Sequence, residues 1–305
     1  MKTVIVTGSD GMLGSEIIRQ LRKHSDVKII PTTVKTMDIT NLGSIKALFE
    51  RYRPTHVIHT AAFTQVDTAE KDPLTAYMVN AEGTKNLAFF ASRFDAEILY
   101  TSTDYVFDGK RGKPYTENDT PLPLNTYGKS KLRGEEYLRE LCERHKIIRT
   151  SWLSGLGGVY NRNFIETMIR FSEQRNELSI VDDQTGKPTF TFDLARAIIL
   201  LLNAKAYGVF HVTGEGQTTW CGFAKKIFEL TNKDVHVKPI TTEQFRSLAD
   251  RPRYSVLKNT RFEKIGLELL PHWESSLKEY FRRRKLAQSL SKSTEKSPSR
   301  DATLA

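Results

Sequence analysis

Residues 3–21, "TVIVTGSDGMLGSEIIRQL", join a short apolar run to an amphipathic segment through three glycines. The first part predicts a buried strand, and the apolar positions every three or four residues in the last part predict a helix. Between them, Gly8 permits a tight turn, Gly11 lets a pyrophosphate approach the backbone, and Gly14 allows the helix to pack closely on the strand. The stretch therefore predicts the opening strand, loop and helix of a dinucleotide-binding fold.

The alternation of strand and helix continues through the first half of the chain. Further apolar runs at 27–33, 55–63, 96–103 and 146–153 predict buried strands, and the segment 72–94 predicts a helix with Pro73 in its first turn. Continuous apolar strands that alternate with helices are typical of a parallel sheet covered on both faces, with ligands at the carboxyl ends of its strands. We therefore predict an α/β fold with a Rossmann-type doubly wound parallel sheet.

The alternation of strands and helices is less regular after about residue 155, which predicts a smaller C-terminal substrate-binding portion. We assign residues 1–155 to the dinucleotide-binding domain and 156–284 mostly to the substrate-binding portion, with segments near 190–215 returning to the first domain. The helix predicted after "DDQTGKPTF" would be capped by Thr191 or Asp193.

The composition fits a globular enzyme: 39% of the 305 residues are hydrophobic and 27% are charged. The sequence contains no apolar run close to the roughly 18 residues that a membrane-spanning helix needs. The start "MKTVIVTG" lacks the layout of a secretory signal, so we expect a cytoplasmic protein. Cys142 and Cys221 lie far apart, without the spacing of a metal site or a disulfide framework.

The net charge of +10 is concentrated at one end of the chain. Residues 282–305 contain seven Lys or Arg and two Asp or Glu, a balance of 7 − 2 = +5, or half of the excess. This segment is rich in serine and poor in apolar residues, so we predict a disordered basic tail over 285–305. The remaining body is only weakly basic, and we expect no nucleic-acid partner.

Tyr127 and Lys131 lie four positions apart in "NTYGKSKLRGEEYL", residues 125–138. On a helix these positions share a face, and a nearby cation lowers the pKa of a phenol from about 10. The pair could then exchange a proton near neutral pH. Tyr-x-x-x-Lys also arises by chance on helix surfaces, so the pattern needs support from the rest of the chain.

That support comes from motifs that keep their order along the chain. They are "TGSDGMLG" (7–14), "AAFTQVDTAE" (61–70), "STDYVFDG" (102–109), "PLNTYGKSK" (123–131), "IRTSWL" (148–153), "DDQTGKPTFTFDLA" (182–195) and "RPRYSVLKNTRF" (251–262). Together they resemble the extended short-chain dehydrogenase/reductase family, and within it the dTDP-4-dehydrorhamnose reductases, over roughly residues 3–280.

The resemblance implies a catalytic set of three residues. Tyr127 would donate a proton to the C4 keto oxygen of a nucleotide-linked sugar while hydride arrives from a nicotinamide. Lys131 would hold the nicotinamide ribose and keep the pKa of Tyr127 low. The hydroxyl of Thr103 would hydrogen-bond the same keto oxygen and stabilise its developing charge.

We expect NADPH as the cofactor, with NADH as the alternative. An acidic residue after the second strand would favour NAD, but this strand ends "IIPTTVK", where Lys35 could meet a 2′-phosphate instead. The resemblance assigns Asp38 and Ile39 to the adenine. The full set of cofactor-binding residues that we predict is Gly8, Asp10, Gly11, Met12, Leu13, Gly14, Lys35, Asp38, Ile39, Ala61, Ala62, Phe63, Thr64, Thr101, Tyr127 and Lys131.

The resemblance also implies a nucleotide-sugar substrate. Trp152 would offer the sugar an apolar platform, and Arg251, or equally Arg253, would bind the diphosphate through its fork of donors. The substrate-binding residues that we predict are Val66, Thr103, Asp104, Tyr105, Trp152, Asn163 and Arg251. Glu16 matches a metal-binding position of some family members, but "PTFTFD" supplies no second glutamate, so we expect no metal.

Three functions stay open at this point. The first is NADPH-dependent reduction of dTDP-4-dehydrorhamnose, and the second is the same reaction on another nucleotide-linked 4-keto-6-deoxy sugar. The third is a non-catalytic regulatory subunit of methionine adenosyltransferase, since one branch of the family has that role. The motifs at 102–109, 150–153 and 182–189 favour an enzyme, because a regulator has no need of a proton relay or a sugar platform. The resemblance is also compatible with a homodimer.

Overall fold

The computed structural model describes residues 1–158 and 163–295. Its strands are β1 (Lys2–Thr7), β2 (Val27–Thr32), β3 (His56–His59), β4 (Glu97–Thr103), β5 (His145–Thr150), β6 (Leu153–Ser154), β7 (Glu177–Val181), β8 (Thr185–Gly186), β9 (Thr189–Phe190), β10 (Gly208–His211), β11 (Thr218–Thr219) and β12 (His236–Ile240). Its helices are α1 (Met12–Leu21), α2 (Leu42–Tyr52), α3 (Val66–Lys71), α4 (Pro73–Tyr77), α5 (Gly83–Arg93), α6 (Thr126–Leu141), α7 (Phe164–Ser172), α8 (Thr191–Asn203), α9 (Trp220–Thr231), α10 (Thr242–Phe245), α11 (Thr260–Lys264) and α12 (Trp273–Glu295).

The main sheet has six strands in the order β10-β5-β4-β3-β1-β2, and all its neighbours are parallel. The chain passes from β1 to β2 on one side and then crosses to β3 on the other side. Ligands of such sheets bind at this reversal, beyond the carboxyl ends of the strands. The predicted α/β, doubly wound parallel sheet is confirmed.

Alternate residues of the central strands serve the two faces of the sheet. Val4 and Val6 of β1 pack with α1 and α8 on one face, whereas Ile5 packs with α2, α5 and α6 on the other. The side chains of Val4, Ile5 and Val6 are all fully buried. The sheet therefore has a helical layer on each face, and its carboxyl edge is left to the loops that carry the candidate site.

The segment 72–94 is helical, as predicted, but it is not one regular α-helix. Pro73 occupies the first turn of α4, and the Asp72 carboxylate accepts a hydrogen bond from the Thr75 N–H at 3.1 Å. A π-helical turn, Met78–Glu82, then joins α4 to α5. Such turns often lie near functional sites, and this one brings Asn80 against the loop after β3.

The predicted cap of α8 is wrong. The helix begins at Thr191, so the N-cap residue is Phe190, which has no side-chain acceptor for the first turn. Asp193 is already inside the helix, and its carboxylate accepts a hydrogen bond from the Ser276 hydroxyl at 2.6 Å. The acid therefore joins α8 to α12.

The helices and strands after β5 pack in two different regions of the protein. Helix α8 packs on α1, and β10 pairs with β5 as the sixth strand of the main sheet. Helices α7, α9 and the start of α12 surround a third apolar cluster, together with β7. Within residues 1–158 and 163–295, no helix is both long enough and apolar enough to cross a membrane.

Helix α12 continues to Glu295, so the first part of the expected disordered tail is helical, and residues 296–305 lie outside the described part of the chain. Two arginines of α12 bind this helix to the rest of the protein. The Arg284 guanidinium donates to both oxygens of Glu166 at 2.8 and 3.1 Å. The Arg283 guanidinium lies 4.2 Å from the centre of the Phe192 ring.

These contacts predict where the C-terminus can be shortened. A chain that ends after Leu286 keeps Arg283 and Arg284, and its melting temperature should stay close to that of the full chain. A chain that ends after Phe281 loses both, and it should melt lower by a few degrees, because such pairs are worth roughly 1 kcal/mol or less each. Thermal unfolding followed by circular dichroism measures both. An equal loss in the two chains would show that residues beyond Leu286 also bind the body.

Candidate active site

A cavity of about 880 Å³ opens at the carboxyl edge of the main sheet. Loops that follow β1 to β5 form most of its wall, as the topology predicts. The predicted residues that line it are Gly8, Asp10, Gly11, Met12, Leu13, Gly14, Asp38, Ile39, Ala61, Ala62, Phe63, Thr64, Val66, Thr101, Thr103, Asp104, Tyr105, Tyr127, Lys131 and Trp152. The two halves of the predicted site therefore share one cavity.

Three predicted residues do not line this cavity: Lys35, Asn163 and Arg251. The Asn163 side chain caps α7, where it accepts from the Glu166 N–H at 3.0 Å. The Arg251 guanidinium forms a bidentate ion pair with the Asp67 carboxylate, with N–O distances of 2.6 and 3.2 Å. Both side chains are committed to local structure, so their predicted contacts with a diphosphate remain predictions.

The glycine loop can pack this closely on its own backbone and on the loop after β3 only because it lacks side chains. A Cβ on Gly8, which has a φ of +63°, would lie 2.8 Å from the Ala61 nitrogen. A Cβ on Gly14 would lie 2.2 Å from the Gly8 carbonyl oxygen. Gly11 is the N-cap of α1 and offers no side-chain acceptor, so the first N–H groups of the helix remain available to an anion. The loop therefore fits a dinucleotide.

The residues directly after β2 do not include the acid that would bind a ribose of NAD, so this segment fits NADPH. β2 ends at Thr32, and the next residues on the cavity wall are Thr33 and Val34. The Asp38 carboxylate is engaged locally, because it accepts from the N–H and the hydroxyl of Thr40 at 2.9 and 2.8 Å. Lys35 is exposed on the turn beside the cavity.

Lys131 lies beneath the cavity with 2% of its surface exposed. Its ammonium donates to the Thr101 carbonyl at 2.6 Å and lies 4.1 Å from the centre of the Tyr100 ring. Burial disfavours the charged form and lowers the pKa of Lys131 to about 7, while the Glu135 carboxylate acts in the opposite direction. This lysine therefore changes charge in the neutral pH range.

The expectation that Lys131 keeps the pKa of Tyr127 low is wrong for this structure. Burial raises the pKa of Tyr127 to about 12, the hydroxyl of Thr103 moderates the rise, and the charge of Asp104 adds to it. The Lys131 ammonium is directed to the Thr101 carbonyl instead. Tyr127 is therefore a protonated phenol at neutral pH, the state that a proton donor needs.

Polar groups at the end of β4 complete this wall. The Thr103 hydroxyl donates to the Asp104 carboxylate at 3.1 Å and accepts from the Tyr105 N–H at 3.2 Å. Burial raises the pKa of Asp104 to about 7. Asp104 and Thr150 line the cavity, and among the described residues each has a buried side-chain oxygen without a hydrogen-bond partner.

The opposite wall is aromatic. The indoles of Trp152 and Trp220 stack with their ring centres 3.6 Å apart and their planes within 7°. Trp152 has a left-handed backbone with a φ of 45°, and a Cβ on Gly186 would lie 2.4 Å from its ring. Trp152, Trp220 and Gly186 form what we call the aromatic slot. Sequence reasoning found Trp152 but missed Trp220, which lies in no quoted motif, and Gly186, which lies in the motif at 182–195 but had no role assigned.

Comparisons with known proteins agree with this geometry. A family model described as "RmlD substrate binding domain" matches residues 1–286. The dTDP-4-dehydrorhamnose reductase of Streptomyces griseus is 38% identical over 91% of this chain and 92% of its own length. The chain belongs to the dTDP-4-dehydrorhamnose reductase family.

Two further matches describe its neighbourhood within that family. The spore coat polysaccharide biosynthesis protein SpsK of Bacillus subtilis is 41% identical over 94% of this chain and 99% of its own length. The crystal structure of the Bacillus anthracis dTDP-4-dehydrorhamnose reductase in complex with NADP is 41% identical, with a TM-score of 0.89, and the match covers 92% of this chain and 99% of that one. The likeness therefore extends over the main sheet and over most of the chain that follows β5.

Glu16, the residue considered as a metal ligand, is engaged by other side chains. Its carboxylate accepts from the Arg19 guanidinium at 2.5 and 2.7 Å and from the Gln20 amide at 2.7 Å. Over the part of the chain that the structure describes, no group of three or more His, Cys, Asp or Glu side chains is placed to hold a metal ion.

The aromatic slot predicts the effect of one methyl group. Gly186→Ala should displace Trp152 from its stacked position on Trp220, because the new Cβ would overlap the indole. The exciton signal of the stacked indoles in the circular dichroism spectrum should weaken, and the KM for a sugar substrate should rise several-fold while NADPH affinity is kept. Gly43→Ala, in the first turn of α2, is the control, because its Cβ would meet a side-chain oxygen at 3.2 Å. An unchanged spectrum in Gly186→Ala would contradict the slot.

Proposed function

We propose that this protein reduces the C4 keto group of dTDP-4-dehydrorhamnose with NADPH and forms dTDP-L-rhamnose. The observation that carries the proposal is the meeting of Tyr127, Thr103 and Lys131 in the cavity that the glycine loop also lines. Family membership adds the sugar, since the relative from Streptomyces griseus bears the name of this reaction. The NADP complex of the Bacillus anthracis protein supports the cofactor.

NADPH supplies a hydride to the keto carbon when it is bound. The protein must then supply a proton to the keto oxygen, and the protonated phenol of Tyr127 is the donor. The Thr103 hydroxyl can hydrogen-bond the same oxygen, so negative charge is stabilised as it develops. Lys131 lines the same cavity, where its ammonium can hold the nicotinamide ribose.

The aromatic slot supports a deoxysugar as the group next to Tyr127. Trp152 and Trp220 present apolar surface, which suits the faces and the methyl group of a 6-deoxy sugar better than a highly hydroxylated one. Related 4-keto-6-deoxy sugars have the same apolar features, so an assay must identify the sugar and the base. A homodimer stays a prediction.

The function is tested by NADPH oxidation with a panel of nucleotide-linked 4-keto sugars. We expect the highest kcat/KM with dTDP-4-dehydrorhamnose. Faster turnover of a different nucleotide sugar would replace the substrate but keep the reaction. Absence of turnover with every sugar, together with binding to a methionine adenosyltransferase, would replace the enzyme by the regulatory subunit.

Tyr127→Phe should separate chemistry from binding. The substitution removes the proton donor and keeps the ring, so kcat should fall by about 10²–10⁴-fold while NADPH still binds. Tyr137→Phe on the same helix is the control, because its hydroxyl contacts Glu82 outside the cavity. Full activity in Tyr127→Phe would assign proton donation to another group.

Lys131→Ala should lower cofactor affinity and kcat together. In the wild type, activity should fall as the pH rises through the pKa of Lys131, about 7, since the charged form is lost there. Without the lysine this limb should disappear, and the remaining activity should persist to higher pH, until Tyr127 ionises. An alkaline limb at the wild-type pH in Lys131→Ala would assign that limb to a different residue.

Cofactor choice is tested at Lys35. We expect a higher kcat/KM with NADPH than with NADH, and Lys35→Ala should reduce the ratio, because a charge-assisted hydrogen bond to phosphate is worth about 1.5–3 kcal/mol. Lys23→Ala, an exposed lysine outside the cavity, is the control. An unchanged ratio in Lys35→Ala would show that this lysine does not contact the 2′-phosphate.

A further inference from the structure

A buried carboxylate lies one helical turn beyond Lys131. Glu135, on α6, is 0% exposed, and four donor groups meet its carboxylate. They are the Ser102 hydroxyl at 2.6 Å, the Arg149 Nε and Nη2 at 2.9 and 2.7 Å, and the Arg139 Nη2 at 2.8 Å. The charge is fully engaged, and none of these atoms belongs to the proton relay.

The position of Ser102 connects this cluster with the active site. Ser102 lies in β4 between Thr101, whose carbonyl holds the Lys131 ammonium, and Thr103, whose hydroxyl lies at the cavity wall. Arg149 is the partner of Ser102 on β5. Glu135 therefore binds the ends of both strands from behind the site.

The charged and titratable groups around Lys131 come from three elements. Tyr127 and Glu135 lie on the same helix, Tyr100 on β4 carries the ring beneath the ammonium, and His59 on β3 stacks on Tyr100 with ring centres 5.1 Å apart. Burial lowers the pKa of His59 to about 3, and burial raises the pKa of Tyr100 well above its ordinary value. At neutral pH both are uncharged. Glu135 therefore supplies the negative charge that favours the ammonium, although the same carboxylate is also paired with Arg149 and Arg139.

We propose that Glu135 is a positioning residue for the reduction: its carboxylate keeps Lys131 in the ammonium form and holds the end of β4 against α6. The inference rests on the proposed function for its meaning in catalysis, because the ammonium is needed there to hold the nicotinamide ribose. The electrostatic part concerns the protein alone and can be measured without substrate or cofactor.

The same two strands provide a matched control at their other end. Glu97 begins β4, and its carboxylate accepts from the buried Lys146 ammonium of β5 at 2.6 Å. As with Glu135 and Lys131, this carboxylate opposes the lowering of a lysine pKa by burial. The pair lies at the amino edge of the sheet and does not line the cavity.

The test is a titration of the protein labelled with ¹³C at the lysine Cε, followed by NMR, with Lys131→Ala used for assignment. In Glu135→Gln the Lys131 signal should titrate lower than in wild type by about one pH unit, since the two residues are i,i+4 neighbours on α6 and a nearby opposite charge moves a pKa by roughly 1–3 units. In Glu97→Gln the Lys146 signal should move down instead, and the Lys131 signal should stay in place. An unmoved Lys131 signal in Glu135→Gln overturns the proposal.

The pH–rate profile links this result to catalysis. If the wild type reduces 4-keto sugars, the alkaline limb of Glu135→Gln should move to lower pH by the same shift, whereas that of Glu97→Gln should not move. A limb that stays in place while the Lys131 signal moves would overturn the catalytic part. If the wild type reduces no sugar, the proposed function fails, but the NMR titration still decides the electrostatic part.

Glu135→Gln leaves Arg149 as an unpaired buried charge, which by itself destabilises the fold, and a second variant avoids this effect. Glu135→Gln combined with Arg149→Met removes both charges, and such replacements of buried pairs are often tolerated. The Lys131 signal should still titrate lower than in wild type, since the carboxylate that supports its charge is gone. Glu135→Asp keeps the charge and should restore most of the wild-type titration.

Discussion

A cation buried beneath the cavity is the constraint on which the site depends. An ammonium out of contact with water costs several kcal/mol unless other groups compensate for it. Here the Thr101 carbonyl, the face of the Tyr100 ring and the charge of Glu135 share that compensation. Two of these groups belong to β4 and the third to α6. Helix α6 must therefore pack on β4 in a position that keeps the Lys131 ammonium in contact with Thr101 and Tyr100.

Small side chains make this docking possible. A Cβ on Gly128 would lie 2.2 Å from the Tyr105 carbonyl oxygen, and one on Gly134 would lie 2.4 Å from the Asn80 carbonyl oxygen. The two glycines flank Lys131 along α6 and let the helix approach its neighbours closely. Asn80 then joins the π-helical turn to the loop after β3, through both the N–H and the carbonyl of Phe63. The irregular turn thus helps to shape the cofactor side of the cavity.

The sequence predicts what depends on local spacing. The glycine loop, the alternation of strands and helices and the Tyr127–Lys131 pair could all be read from short patterns, and their common place at one sheet edge follows from topology. Tyr127 and Thr103 were found because they lie within motifs.

Contacts between distant segments were beyond that reach. Trp220 meets Trp152 only because α9 packs beside the end of β5, and Gly186 matters only because an indole lies over it. The direction of the Tyr127 pKa was mistaken because spacing shows that a cation is near but not where its ammonium points. The α8 cap failed for a similar reason, since Ser276 comes from a helix more than eighty residues away.

During synthesis of the protein, the main sheet can be completed only after its sixth strand, β10, has been made. β10, Gly208–His211, covers an edge of β5, yet the chain must first pass through α7, β7 and α8. Until then β5 presents unpaired backbone groups as the nascent chain leaves the ribosome, and exposed edges of this kind invite wrong pairing. The dinucleotide site can be encoded early, but its sheet is closed only after about two thirds of the chain has emerged. Efficient production should therefore depend on the elongation rate between β5 and β10, or on a chaperone that shields this edge.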